Sequence, residues 1–335
     1  MPGDGILILR AADVEAALSA REAEVLEVVR RAYEEHARGG TSLPHSSFLR
    51  FPDSDLDRII SLPAYLGGEF EIAGVKWIAS VPANVARGME RASAVIVLNR
   101  RDTGRPEAIL EGSIVSKQRT AASAALAARV LRGGRAPAAI GFIGCGPINL
   151  EIGRFLGVVW PEVDRFLAYD LDRSRAATFR DRFRAARPGV GLELAASLDE
   201  VLAASPLASF ATSAVEPYVD DLEVCPPGAT ILHVSLRDLA PETILAHHNV
   251  VDDLDHVCRA RTSIHLASEL AGHRDFVHGA LGDLLLGRIQ PPPEGERRVI
   301  FSPFGLGILD LAVAHRVRRV AQEVGAGTVI EGFLP

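Results

Sequence analysis

A run of apolar residues, Ala138-Ala139-Ile140-Gly141-Phe142-Ile143, stops at Gly144-Cys145-Gly146 and gives way to a helix-like segment from about Pro147 to Trp160. A buried strand that turns into a helix through two glycines narrows the possible folds sharply. It lets backbone N–H groups and a helix N-terminus approach a pyrophosphate closely, as in a dinucleotide-binding βαβ unit. Asn149 stands where the third glycine of G-x-G-x-x-G usually falls, so the match is incomplete. A second strand-like run, Arg165-Phe166-Leu167-Ala168-Tyr169, ends at Asp170, 24 residues after Gly146. An acid at that distance meets the adenosine ribose hydroxyls in such units. The competing reading is an ordinary glycine-bearing turn of an α/β protein.

The surrounding pattern favours the first reading. Strand-like runs at 139–143, 165–169, 192–195, 207–212, 230–234 and 250–251 alternate with helical intervals. That alternation predicts a doubly wound parallel sheet of the Rossmann type, in the α/β class. The N-terminal third reads as smaller and α+β. One helix is expected there, with Asp13 as cap, Val25, Val28, Val29 and Tyr33 among its apolar positions, and Gly39-Gly40 as its end. Strands follow at 46–50, 58–63, 71–80 and 92–99, the last joined by the turn Asp102-Thr103-Gly104-Arg105-Pro106 to 108–110 as a hairpin. An alanine-rich helix over 116–132 carries the crossing between domains, and Gly133-Gly134 stops it. A helix over 308–324 returns the chain. The expected domains are therefore 1–125 with 311–335, and 126–310.

Composition limits the function. At 335 residues two domains are the default, and 48% hydrophobic content is ample for two cores. A net charge of −7 without a basic tract argues against nucleic acid as a partner. Met1-Pro2-Gly3-Asp4-Gly5 lacks the basic and apolar segments of a secretory signal, and no apolar run reaches spanning length, so no membrane partner is expected. Cys145, Cys225 and Cys258 are too few and too scattered for a disulfide framework or a zinc cluster, and no metal is expected. These features predict a cytoplasmic enzyme.

Four groups of residues carry the candidate chemistry. Lys76 lies inside the apolar strand Gly74-Val75-Lys76-Trp77-Ile78, where it must face solvent or meet a buried anion. Arg119 stands near the start of the alanine-rich helix, where a cation is disfavoured unless an anion is bound beside it. His233-Val234-Ser235-Leu236-Arg237-Asp238 ends a strand at the carboxyl edge of the sheet, where open α/β sheets bind ligands. Asp238 reads either as an acid or base whose pKa burial raises, or as the cap of the helix near Pro241. Ser302-Pro303-Phe304-Gly305-Leu306-Gly307 is either a connector or backbone held against a cofactor ring.

These motifs together make the chain recognisable. Gly74-Val75-Lys76-Trp77, Pro82-x-Asn84, Thr103-Gly104-x-Pro106, Arg119-Thr120-Ala121-Ala122-Ser123, Gly141-Phe142-Ile143-Gly144-x-Gly146 and Phe304-Gly305-Leu306-Gly307-x-x-Asp310-Leu311-Ala312 resemble the ornithine cyclodeaminase/μ-crystallin family along nearly the whole length. The resemblance implies a Rossmann NAD(P) domain joined to a substrate-binding domain that also forms a homodimer. It implies that Lys76 and Arg119, with Arg50, hold substrate carboxylates, that Lys76 and Asp238 are catalytic, and that Arg237 and His233 are candidates for further substrate charge. It implies cofactor contacts at Ser93, Arg119, Thr120, Gly144, Gly146, Pro147, Ile148, Asn149, Asp170, Thr212, Ser213, Ser235 and Ser302, with NAD as the cofactor.

Two departures bear on substrate. Ile60 falls where ornithine cyclodeaminases carry a glutamate, which removes a polar group. Val234-Ser235-Leu236-Arg237-Asp238 replaces their Gly-rich, Cys-Pro-bearing loop and is similar to the branch that makes 2,3-diaminopropionate for siderophores and peptide antibiotics. Enzymes of that branch oxidise N-(1-amino-1-carboxy-2-ethyl)-glutamate with NAD⁺ and hydrolyse the imine. Ornithine cyclisation, imine or amino-acid reduction, and NADPH-dependent ligand binding of the μ-crystallin kind are the alternatives within the family.

Overall fold

The computed structural model describes residues 5–293 and 295–334, the side chain of Asp55 aside. Residues 1–4, part of the stretch read for a leader, lie outside the described residues. The chain divides into two units, Met1–Arg119 with Leu306–Pro335, and Thr120–Gly305.

The first unit begins with β1 (Ile6–Leu9), α1 (Ala11–Leu18), α2 (Glu22–Ala37), β2 (Thr41–Ser42), β3 (Ser47–Phe51), β4 (Ser54–Leu66), β5 (Ile72–Ser80), β6 (Ala92–Arg100) and β7 (Pro106–Glu111). Helix α3 (Ser113–Leu131) carries the chain onward. Glu111 starts it by accepting the backbone N–H groups of Ser113 (2.7 Å) and Ile114 (3.0 Å). The single N-terminal helix expected from the pattern is two helices, because Ala20 takes a left-handed φ of 55° and turns the chain. Asp13 is not the N-cap. It sits three positions inside α1, and its carboxylate accepts the N–H of Arg10 at 2.9 Å.

The second unit runs through β8 (Ile140–Ile143), α4 (Pro147–Val159), β9 (Arg165–Tyr169), α5 (Arg173–Ala186), β10 (Gly191–Leu194), α6 (Leu198–Ala204), β11 (Leu207–Phe210), β12 (Thr230–His233), α7 (Pro241–Ala246), β13 (His248–Val251), α8 (Leu254–Val257), α9 (Ser263–Ala271), β14 (Val277–Ala280), α10 (Leu281–Leu285) and β15 (Val299–Ser302). Helix α11 (Gly307–Val324) and β16 (Thr328–Ile330) then complete the first unit.

In the first unit the sheet order is β16-β1-β7-β6-β5-β4-β2, with β3 also paired to β4; among the described residues of this sheet only β1 and β7 are parallel. Helix α11 lies on β4, β5 and β6. Gly74 permits this approach: a Cβ there would stand 2.2 Å from the Val97 carbonyl oxygen and 3.0 Å from Leu311.

The second unit is a parallel sheet in the order β10-β9-β8-β11-β12-β15-β13-β14, the doubly wound α/β architecture expected. Strands β8, β11, β12 and β15 are buried along their whole length, as strands covered on both faces are. Phe142, Phe166, Phe179 and Phe183 cluster beneath the first crossover with ring centroids 4.9–6.1 Å apart. Strand order reverses between β8 and β11, the switch point at which such sheets bind ligands. The late strand β15 inserts between β12 and β13 and brings Ser302 beside His233.

Candidate active site

The turn after β8 is built for a close approach. Gly144 has φ 87°, and a Cβ there would lie 2.6 Å from the Ala211 carbonyl oxygen, so no other residue fits. Gly146 differs, because the space where its Cβ would point is open for 4 Å. It precedes Pro147, the first residue of α4, whose N-terminus has no side-chain cap. An uncapped helix start beside an open glycine fits a pyrophosphate. Asn149 is buried, and its amide nitrogen donates to the carbonyls of Ile143 (2.9 Å) and Gly144 (2.8 Å), while its oxygen accepts from Ser209 (2.8 Å). Its side chain thus ties the strand end to the helix, which answers why a polar residue replaces the third glycine. Ile148 is half-buried in the same first turn.

Asp170 stands at the end of β9 and accepts the backbone N–H groups of Cys145 (2.8 Å) and Asp172 (2.9 Å). Asp172 caps α5 through Ser174 and Arg175. The arginines that follow Asp170 are engaged elsewhere: Arg173 donates to the Ala196 carbonyl at 3.2 Å, and Arg175 faces Asp172 at 3.7 Å. Burial, reinforced by Asp170, pushes the Cys145 thiol up to about 12, so it stays protonated.

A second cluster gathers at the carboxyl ends of β11, β12 and β15. Asp238 is wholly buried. Its carboxylate accepts hydrogen bonds from Thr212, Ser235 and Tyr218 (3.1 Å), and His233 Nε2 lies 3.2 Å away. His233 Nδ1 faces the Ser302 hydroxyl at 3.3 Å. The capping reading falls, because the N-cap of α7 is Ala240, with no side-chain hydrogen bond. The expected upward shift falls too. Burial does push the Asp238 carboxyl up, but the hydrogen bond and charge of His233, with Ser235 and Thr212, outweigh it and hold the pKa below its ordinary value. Asp238 is a carboxylate at neutral pH.

The third cluster lies in the first unit. Lys76 does not face solvent: it is 2% exposed, and its Nζ meets Asp310 Oδ2 at 2.7 Å and Ser116 Oγ at 3.1 Å. Arg119 is the seventh residue of α3 and not a first-turn charge; its Nε donates to the other oxygen of Asp310 at 3.1 Å. Two cations share one carboxylate, which leaves the cluster with one net positive charge suited to an anion. Burial lowers the Lys76 pKa to about 8, against the pull of Asp310 and with the help of Arg119. Asp310, inside the apolar run Gly307-Ile308-Leu309-Asp310-Leu311-Ala312, received no role from the sequence. A charged residue on an otherwise buried helix face was the available signal.

Arg50 is exposed on β3, its guanidinium 6.0 Å from the Phe48 ring. Ser93 on β6 and Ser213 after β11 are exposed, and Thr120 is half-buried on α3. Arg237 donates to the Ala260 carbonyl at 2.8 Å, and His233 lies between Asp238 and Ser302.

Residues 6–325 match the ornithine cyclodeaminase/mu-crystallin family. The chain belongs to that family. It is 30% identical to the N-((2S)-2-amino-2-carboxyethyl)-L-glutamate dehydrogenase of Staphylococcus aureus, over 97% of this chain and 98% of that one. The Δ(1)-pyrroline-2-carboxylate reductase of Thermococcus litoralis, solved with NADH and L-proline, superposes with a TM-score of 0.89 at 26% identity, over 97% of this chain and all of that one. An archaeal alanine dehydrogenase dimer with bound NAD gives 0.88 at 26% identity, over 98% and 100%. This member of the family is an oxidoreductase that uses a nicotinamide dinucleotide. Among the described residues no helix is long and apolar enough to cross a membrane.

Proposed function

We propose that the protein oxidises N-((2S)-2-amino-2-carboxyethyl)-L-glutamate with NAD⁺ and hydrolyses the product imine to L-2,3-diaminopropionate and 2-oxoglutarate. The full-length likeness to the staphylococcal dehydrogenase carries the substrate choice. Such a product would feed siderophore or peptide natural-product assembly in the cytoplasm.

The two side-chain clusters support the reaction. Lys76 and Arg119, tied to Asp310, hold a substrate carboxylate and fix the orientation of the carbon that reacts. The turn at Gly144–Gly146, the start of α4 and Asp170 hold NAD⁺, which when bound accepts the hydride. Asp238, as carboxylate, takes a proton as water adds to the iminium carbon. Collapse of the carbinolamine breaks the C–N bond and releases the two products. Incubation of pure protein with NAD⁺ and this substrate should yield one NADH and one 2-oxoglutarate per 2,3-diaminopropionate. Absence of NADH would reject the substrate, and proton-balanced conversion of ornithine to proline and ammonia without NADH would point to cyclodeamination.

Three further outcomes follow from the same parts. NAD⁺ should bind more tightly than NADP⁺, because Asp170 and Asp172 repel a 2′-phosphate while Arg173 and Arg175 are engaged. Calorimetric titration with the opposite order would count against it. In the free enzyme Lys76 is protonated below about 8 and neutral above. The anchoring charge is therefore lost as pH rises, and kcat/KM should decline above about 8. A profile flat to pH 10 would remove Lys76 from carboxylate binding. The protein should be a two-fold homodimer, as most soluble oligomers are. Light scattering should return twice the 35.8 kDa chain mass, and a monomer mass at micromolar concentration would refute it.

A further inference from the structure

Asp238 has no exposed surface, although a base for a reacting water must exchange a proton with it. Thr212 donates to the carboxylate and its oxygen already accepts the Ala214 N–H at 3.1 Å. His233 and Ser302 are themselves fully buried. Ser235 donates to Oδ2 and is half-buried. Tyr218 is 46% exposed and reaches in from the loop after β11 to place its hydroxyl 3.1 Å from Oδ1. Its placement is fixed by backbone: the N–H groups of Tyr218 and Val219 both donate to the Asp238 carbonyl at 2.9 Å.

We infer that Tyr218 is the catalytic contact through which Asp238 takes its proton from the reacting water. The inference rests on the hydrolytic reading above. As the water oxygen bonds to the iminium carbon, a water proton passes to the Tyr218 oxygen while the phenolic proton passes to Asp238 Oδ1. The phenol ends as it began, and Asp238 becomes neutral. Burial, and then the adjacent Asp238 charge, push the Tyr218 phenol far above its ordinary value, so it stays a donor across the working range. The titratable groups around the pair are His233 beside Asp238 and Tyr169 beside Tyr218.

Tyr218→Phe keeps the ring and removes the relay. Turnover should fall by about a hundredfold, with KM, NAD⁺ affinity and melting temperature near wild type. Full kcat, or a loss confined to KM, would overturn the relay. The substrate reading fails separately: wild type would then give no NADH from the glutamate adduct, and the two proteins would be compared on L-alanine, whose oxidation also ends in imine hydrolysis. A readout without substrate comes from the ring-labelled phenol in the resting protein. In Asp238→Asn its titration should move down while staying above the ordinary value of about 10, because burial remains and only the carboxylate's charge and hydrogen bond are lost. An unmoved titration would show that the hydroxyl does not sense the carboxylate, and would overturn the inference as well.

Discussion

Asp238→Asn should lower turnover by about two to four powers of ten, the usual contribution of a positioned acid or base, and leave NAD⁺ affinity near wild type. The amide cannot accept a proton, yet it fills the same volume. It also sets an NH₂ group among hydroxyls that now donate to the carboxylate, and leaving one such buried group unsatisfied costs about 1–3 kcal/mol. A modest fall in stability with a large fall in kcat is the expected pair of results. The dinucleotide turn is formed by Gly144, Gly146, Asn149 and Asp170, which engage other partners, so cofactor titration separates lost chemistry from lost folding. A well-folded variant with full activity would end the assignment of Asp238 as the base.

The second large effect concerns Asp310. Removal of one partner from a buried ion pair costs about 3–5 kcal/mol, because the charge left behind remains out of water. Asp310 has no exposed surface and serves two cations, so Asp310→Ala should reach that range in denaturant unfolding. Substrate binding should weaken in the same variant. Asp310 holds the Lys76 proton on, and without it burial and Arg119 would depress that pKa below about 8, toward loss of the anchoring charge at neutral pH. Adding Lys76→Met should restore part of the stability but none of the affinity, since the buried amine that Asp310 no longer satisfies is then gone. An Asp310→Ala protein with wild-type stability and KM would show that the carboxylate is dispensable.

The sequence made the second unit legible because its strands are short, apolar and punctuated, and both glycines of the dinucleotide turn sit where backbone conformation demands them. Strands β14 and β15 were hidden for opposite reasons. Val277-His278-Gly279-Ala280 has neither alternation nor a continuous apolar run, and Val299-Ile300-Phe301-Ser302 merges into the glycine-bearing segment that follows. In the first unit, β1 and β16 escaped notice because each is short and its partners are remote in sequence. Lys76 and Arg119 were visible as misplaced charges. What they meet was not, since Asp310 lies 234 residues after Lys76 and only packing of α11 on the sheet brings it there. Asp238 is ambiguous in sequence between cap and base because only two residues separate it from Pro241. The hydrogen-bond partners of its carboxylate, none of them an N–H group of α7, exclude the cap.

The discontinuity of the first unit sets an order on synthesis. Residues 120–305 form one uninterrupted stretch and can complete their sheet as soon as β15 leaves the ribosome. Lys76 and Arg119 emerge early but have no counter-ion until Asp310 follows, so the nascent N-terminal sheet cannot bury them as an ion pair until α11 has been made. A chain arrested before α11 would hold a dinucleotide fold and seven of the eight strands of the first sheet, with two cations lacking their counter-ion. The ion pair that joins Lys76, Arg119 and Asp310 is thus a contact that only the arrival of α11 can close.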